Sequence, residues 1–385
     1  MKTIPLYDKD AYIKEFEAKV ISCEAIGNDG EDRYKVVLDQ TAFFPEQGGQ
    51  TSDVGLLGEG RVMDVQVEGD EIVHYCDVSF EVGAQVSGMI DWHHRFGNMQ
   101  QHTGEHIFTG MAHRLYGADN VGFHLSDNTV TLDLNIDLSA EQVSFVEHLA
   151  NEVIAADVPV KAYYPDAETL AKLDYRSKKE LDGPVRIVEV EGVDFCACCA
   201  PHVLSTGQVG MLKVTSFEKY KGGVRVYILC GLRALKDYNR RMDILTKAYQ
   251  TLNCREDEIP EKIEGLVADN KQLKYDISQV KAKVLLEKIE NYPPELEDVT
   301  IFTEDLDAKN MRDGVNALVE KHTGLCAIFS GNDEDGYNFV IGSKTRDCKA
   351  IATGLRELLG AKGGGSKEMA QGSVNATRSA IEQTL

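Results

Sequence analysis

No stretch of the 385-residue sequence approaches the roughly eighteen apolar residues that a membrane span requires, so no membrane helix is expected. The opening Met1-Lys2-Thr3-Ile4-Pro5-Leu6-Tyr7-Asp8 lacks the apolar run of a secretory signal, which predicts a cytoplasmic protein. Basic residues are in short supply: 41 Lys and Arg face 63 Asp and Glu, a net charge of −22. That balance argues against a generic nucleic-acid binder, because phosphate contacts need cations. There is no G-x-x-x-x-G-K-[ST] phosphate loop, no fixed-period repeat and no long low-complexity tract. The nine cysteines are an odd number and cluster at 196, 198 and 199. In a reducing compartment such a cluster reads as metal binding or thiol chemistry, not as a disulfide framework.

Two short spans carry most of the chemistry. His102-Thr103-Gly104-Glu105-His106 sets two imidazoles four residues apart, and Cys198-Cys199-Ala200-Pro201-His202 does the same for a thiol and an imidazole. Residues 95 to 115 read as a helix despite Gly97, Gly104 and Gly110, and on a helix His102 and His106 share one face. Three nitrogens and one sulfur form the donor set of a tetrahedral Zn²⁺ site, one ion per chain. Cys196 and Cys199 stand beside that set as alternative ligands. His102-x-x-Glu105-His106 also fits the H-x-x-E-H pattern of a metallopeptidase class, with Glu105 as candidate base. That reading leaves Cys198 and His202 without a role.

The chain divides by texture. Residues 1–90 carry short β-branched runs between glycine turns and predict a small β-barrel-like domain. Residues 91–232 mix helix and strand around both ligand pairs. Across 233–291, Leu235, Tyr238, Met242, Leu245, Tyr249 and Leu252, then Ile259, Ile263, Leu266, Asn270, Leu273, Ile277, Val280 and Val284, recur at alternating spacings of three and four. They predict two heptad helices in an antiparallel hairpin, packed on itself or offered to a second copy. Residues 292–385 predict a C-terminal α/β domain. The fold class is therefore α+β, multidomain. From Gly342 onward seven basic residues outnumber four acidic ones, so an RNA contact there remains open to an otherwise acidic chain.

Two glycine-rich spans stand out. In Phe43-Phe44-Pro45-Glu46-Gln47-Gly48-Gly49-Gln50 the aromatics predict a wall, and the glycines a loop that comes close to a ligand. Gly363-Gly364-Gly365-Ser366-Lys367 predicts a turn whose amides could approach a phosphate.

Taken in order, these motifs resemble the free-standing alanyl-tRNA editing proteins of the long form, and hence the editing and C-terminal domains of alanyl-tRNA synthetase. Phe43 to Gln50 with Asp53 and Gly55 is similar to the family's glycine-rich motif. Asp91, Arg95, His102 and His106 resemble its first metal motif, and Cys198, His202 and Val203 its second. Gly363 to Gly372 is similar to the signature of its C-terminal domain. The resemblance implies hydrolysis of tRNA(Ala) mischarged with serine or glycine, with zinc on His102, His106, Cys198 and His202. It implies substrate contacts at Thr41, Gly48, Gly49 and Gln50, and tRNA contacts at Gly363, Gly364, Gly365 and Lys367. It leaves open a homodimer through the hairpin and the C-terminal domain, and a zinc-stabilised tRNA-binding protein without turnover. Two departures stand out. Cys199-Ala200-Pro201 replaces the synthetase's usual Gly-Gly-Thr, and Glu105 occupies a position that is not a carboxylate throughout the family.

Overall fold

The computed structural model describes residues 2–26, 33–126, 129–177 and 183–385. It is a mixed α/β, multidomain architecture with two compact units, Met1–Leu245 and Thr246–Leu385.

The first unit opens with a closed barrel. Its strands are β1 (Glu15–Ala25), β2 (Tyr34–Leu38), β3 (Gly55–Leu57), β4 (Gly60–Glu68), β5 (Glu71–Cys76) and β6 (Gln85–Ile90), in the order β1-β2-β5-β4-β3-β6. Alternation sets the inside: along β1, Phe16, Ala18 and Val20 are buried while Glu15, Glu17 and Lys19 are exposed. Phe43 and Phe44 fill the same core, edge-on to Phe16 and Tyr7. The expected aromatic wall is thus interior barrel packing.

Helix α1 (Trp92–Tyr116) follows, capped by the Asp91 carboxylate on the His94 amide and ended by Gly117 in the left-handed region. Its internal glycines look like breakers but serve close packing. A Cβ at Gly104 would meet Cys230 Sγ at 2.3 Å, and one at Gly110 would meet Asp194 Cβ at 2.8 Å. Next come β7 (Asn120–Leu125), β8 (Val130–Leu134), α2 (Ala140–Ala156), β9 (Val160–Tyr163), β10 (Ile187–Val190), β11 (Asp194–Ala197), β12 (Leu212–Tyr220) and β13 (Gly223–Cys230). They form a four-stranded sheet, β12-β13-β8-β7, and a three-stranded one, β9-β10-β11. One apolar core runs through both sheets, α1 and α2. A buried ion pair ties α1 to the barrel: Arg95 Nε donates to both Asp53 oxygens at 2.9 Å, and its Nη atoms reach the carbonyls of Ala11 and Ala42.

Helix α3 spans Gly231–Leu252 and α4 spans Ile259–Glu290. Of the heptad seam, Met242, Leu245, Tyr249 and Leu252 are half-buried and Ile259 is buried, but most of the rest is open. Leu235, Tyr238, Ile263, Leu266, Leu273, Ile277, Val280 and Val284 are 47–62% exposed. Besides Ile259 at its start, α4 is buried at its C-terminal end, where Leu285 and Ile289 join the core of the second unit. That core lies under a five-stranded sheet of β14 (Val299–Thr303), β15 (Cys326–Asn332), β16 (Gly336–Gly342), β17 (Lys362–Gly365) and β18 (Met369–Val374), in the order β14-β15-β16-β18-β17. Helices α5 (Ala308–Lys321), α6 (Cys348–Leu359) and α7 (Arg378–Thr384) complete the unit.

Gly363-Gly364-Gly365 is the edge strand β17, where the sequence pattern predicts a turn. A Cβ at Gly363 would meet Gln371 O at 2.2 Å, and one at Gly365 would meet Met369 O at 2.2 Å. These glycines admit the neighbouring strand. The turn that follows is closed by its own groups: the Ser366 amide donates to the Met369 carbonyl, and Ser366 Oγ accepts from the Glu368 and Met369 amides.

Candidate metal centre

Helix α1 delivers His102 and His106 to one buried face, each 1% exposed. The loop after β11 delivers Cys198 and His202. Arg186 holds that loop, with Nη1 donating to the Cys198 and Ala200 carbonyls at 2.9 Å each. The four ligand atoms lie within 4.8 Å of one another. Cys198 Sγ is 3.5 Å from His102 Nε2 and 3.4 Å from His202 Nε2. A tetrahedron with ordinary Zn–S and Zn–N bonds has an S···N edge of about 3.5 Å, so the donor set and its spacing fit zinc.

The far side of each ring decides which nitrogen points inward. His102 Nδ1 lies 2.8 Å from Gln50 Oε1, His106 Nδ1 lies 3.1 Å from Asp194 Oδ2, and His202 Nδ1 lies 3.0 Å from Thr103 Oγ1. An acceptor on each Nδ1–H leaves each Nε2 lone pair for a metal, the usual outer-shell arrangement of zinc-binding histidines. Gln50, Thr103 and Asp194 are therefore part of the site.

The two extra thiols face elsewhere. Cys196 groups instead with His106 and Asp194, and burial pushes its thiol up to about 11. Cys199 packs on the barrel core, its sulfur 3.4 Å from where a Cβ on Gly48 would sit, and burial raises it to about 12. The four-atom cluster takes Cys198, itself partly exposed, and so pairs the two histidines with a thiol and a third imidazole. An H-x-x-E-H peptidase would use a downstream carboxylate there.

The glycine motif reaches the centre as a tight turn. Gly48 and Gly49 have φ of 65° and 85°, and the Gln47 and Gln50 backbones pair across them. A Cβ at Gly49 would meet Phe123 O at 2.4 Å. The turn docks on β7, with the Leu125 amide donating to the Gly49 carbonyl at 2.7 Å. That docking carries Gln50, which is fully buried, onto His102. Its Oε1 is used there, while its Nε2 has no hydrogen-bond partner among the described residues.

Glu105, which precedes His106 on α1, is buried. Its Oε1 accepts from Asn120 Nδ2 and from Thr109 Oγ1 (3.1 Å), and its Oε2 lies 3.7 Å from His106 Nε2. Thr41 is bonded within the barrel. It is fully buried, with its hydroxyl 2.8 Å from His74 Nε2 and accepting from the Phe43 amide. His74 Nδ1–H donates to the Val36 carbonyl, so Nε2 is an acceptor and the Thr41 proton is committed to it. Lys367 and the triple glycine are exposed in the second unit.

Residues 7–94 match the family described as tRNA synthetases class II (A). Residues 185–227, which hold Asp194, Cys198 and His202, match the threonyl and alanyl tRNA synthetase second additional domain. An alanine–tRNA ligase from Pyrococcus abyssi is 31% identical over 409 residues, covering 100% of this chain; the chain spans 43% of that protein's length. The alanyl-tRNA editing protein AlaX-L of Pyrococcus horikoshii is 29% identical, covering 96% of this chain and 94% of its own length. The alanyl-tRNA editing protein Aarsd1 of Danio rerio is 27% identical, with 98% and 96% covered.

Proposed function

Because the chain belongs to the alanyl-tRNA editing protein family, we propose that it hydrolyses the aminoacyl ester of tRNA(Ala) mischarged with serine or glycine, at a zinc centre formed by His102, His106, Cys198 and His202. The supporting observation is the convergence of three Nε2 atoms and one sulfur, each ring held from behind. The chemistry gives such an enzyme a reason to exist. One methyl or hydroxyl group gives a synthetic site only about 1–3 kcal/mol of discrimination, so small amino acids call for a second sieve.

A bound Zn²⁺ would orient the substrate, polarise its carbonyl or lower the pKa of an attacking water, the last two requiring an open coordination position. The chain's own groups do the rest. Gln50 fixes the His102 ring through Oε1 and has Nε2–H left to donate to a substrate oxygen. Glu105, with Oε2 on the His106 side, is placed to accept a proton from water. Gly48 and Gly49 let the backbone turn close beside the centre. Cys198 is the part-exposed ligand, so the substrate approaches from its side. Thr41 contacts the seryl hydroxyl only as an acceptor, since its own proton is held by His74.

In the second unit, tRNA contacts fall to the basic excess around exposed Lys367 and the β17 edge. A homodimer would use the exposed apolar residues of α4 and the C-terminal domain. Among the described residues no helix is long and apolar enough to cross a membrane.

The test is deacylation of Ser-tRNA(Ala) and Gly-tRNA(Ala) against Ala-tRNA(Ala). Selective loss of the mischarged species, abolished by His106→Ala, is expected. Equal rates on all three, or full activity in the variant, overturns the reading. One observation favours a second reading, a zinc-stabilised tRNA-binding protein: four protein ligands can close the coordination sphere. That protein would bind tRNA tightly, turn over none, and unfold on chelation.

A further inference from the structure

The three rings of the centre are not held alike. Gln50 and Thr103 are neutral partners, but His106 leans on a carboxylate. Asp194 opens β11 and is buried, and both its oxygens are engaged by Arg176, Nε to Oδ1 at 2.7 Å and Nη2 to Oδ2 at 2.8 Å. The same Nη2 donates to Thr109 Oγ1 at 2.9 Å, which in turn meets Glu105. Arg176 is locked by backbone bonds: its amide donates to the Phe195 carbonyl, and its carbonyl accepts from the Ala197 amide. Helix α1 makes room for the carboxylate with Gly110.

Cys196 lies close to this carboxylate. Its sulfur, the Asp194 carboxylate and a His106 nitrogen are within 4.8 Å of one another, all three residues being buried. A His106 ring free to turn could offer a metal its other nitrogen, with the Cys196 thiolate as a competing ligand. Nothing about ligand softness excludes this, since thiolate is a good zinc donor. What opposes it is the hydrogen bond from His106 Nδ1–H to Asp194 and the guanidinium that neutralises the buried carboxylate.

We propose that Asp194, clamped by Arg176, is a positioning residue that commits His106 to coordinate through Nε2 and thereby keeps Cys196 out of the metal's coordination sphere. The inference rests on the zinc-centre reading above. It predicts that ligand identity, and not only affinity, depends on two residues that do not touch the metal.

The experiment compares the full-length wild type with Asp194→Ala, Asp194→Asn, Arg176→Lys and Asp194→Ala/Cys196→Ser. Zinc per chain, zinc affinity by chelator competition, and the absorption spectrum after cobalt substitution are read for each. The wild type should hold one metal with a one-thiolate cobalt spectrum. Asp194→Ala should bind zinc about 10–100-fold more weakly, with a thiolate band near twice the wild-type intensity that falls back in the double variant. Asp194→Asn keeps a carbonyl acceptor and should lie between the two, as should Arg176→Lys.

A merely structural Asp194 would lower the melting temperature of the chelated protein and leave the cobalt spectrum unchanged. That outcome, or wild-type affinity in Asp194→Ala, overturns the proposal. If Asp194→Ala does not fold, wild-type affinity and spectrum in both Asp194→Asn and Arg176→Lys overturn it equally. A wild type that holds no metal instead overturns the centre itself.

Discussion

Gln50 Oε1 and His102 Nδ1 stand 2.8 Å apart, and this one contact joins the glycine turn that follows the barrel's second strand to the helix that carries two of the four proposed metal ligands. It orients the ring and leaves the Gln50 amide nitrogen buried without a partner among the described residues. Removing the side chain should act twice. Gln50→Ala should weaken zinc binding by about tenfold or more through loss of the ring's outer partner. Deacylation should fall further than metal content does, because the spare donor is lost as well. Zinc content and single-turnover deacylation on one preparation check this. A variant whose activity falls only in step with its zinc content would show that the amide acts on the ring alone.

Gly104 lies between His102 and His106, where α1 crosses the end of β13. Replacing glycine by alanine inside a helix ordinarily gains up to about 1 kcal/mol. Here the new methyl would sit 2.3 Å from Cys230 Sγ, which is fully buried. Overpacking of this kind typically costs about 1–3 kcal/mol, so the steric term wins. Gly104→Ala should unfold at lower denaturant concentration and lose zinc, whereas Gly104→Ala/Cys230→Ala should recover much of both.

This helix also shows what a sequence can and cannot disclose. Its two histidines are legible because four residues make one turn, and the Cys198/His202 pair is legible for its chemistry at a fixed spacing. Gln50, Thr103, Asp194 and Arg176 complete the site from four separate segments, and no spacing links them. Gln50 is legible only as part of the glycine motif and as a substrate contact, Thr103 only as a neighbour of His102, and Asp194 and Arg176 give no signal. The glycines at 104 and 110 read locally as helix breakers, because propensity describes an isolated helix and not one pressed against a sheet. Gly363 to Gly365 misled in the same way, being a strand whose neighbour approaches too closely for a side chain. The heptads of α3 and α4 disclosed two helices, but periodicity says where apolar side chains sit and not what covers them.

Arg95 and Asp53 are both fully buried, and the guanidinium also reaches two carbonyls, so the pair bonds the barrel to α1. Removing only one partner leaves a charge in the interior, which typically costs about 3–5 kcal/mol. Asp53→Ala should therefore cost more than the lost contacts alone. The paired replacement Asp53→Leu/Arg95→Met, which removes both charges, should recover part of the loss. Denaturant unfolding of the four species gives the coupling directly. Additive effects would mean that the pair does not bridge the two layers.

His74 offers a pH test independent of the metal. Burial pushes its imidazole down to about 4, against a smaller upward effect of its hydrogen bond to the Val36 carbonyl. The folded protein therefore holds His74 neutral where the unfolded chain binds a proton. The sign follows: the contribution is full above the ordinary imidazole value near 6.5 and is lost as pH falls from there toward 4. A shift of that size corresponds to about 3 kcal/mol. Protonation would also break the Thr41 bond, since Nε2 could no longer accept. With chelator present throughout, so that metal release does not enter, the stability gap between wild type and His74→Gln should narrow by about that amount between pH 7 and 4. A gap that stays constant across the window would mean that His74 is not held neutral in the folded barrel.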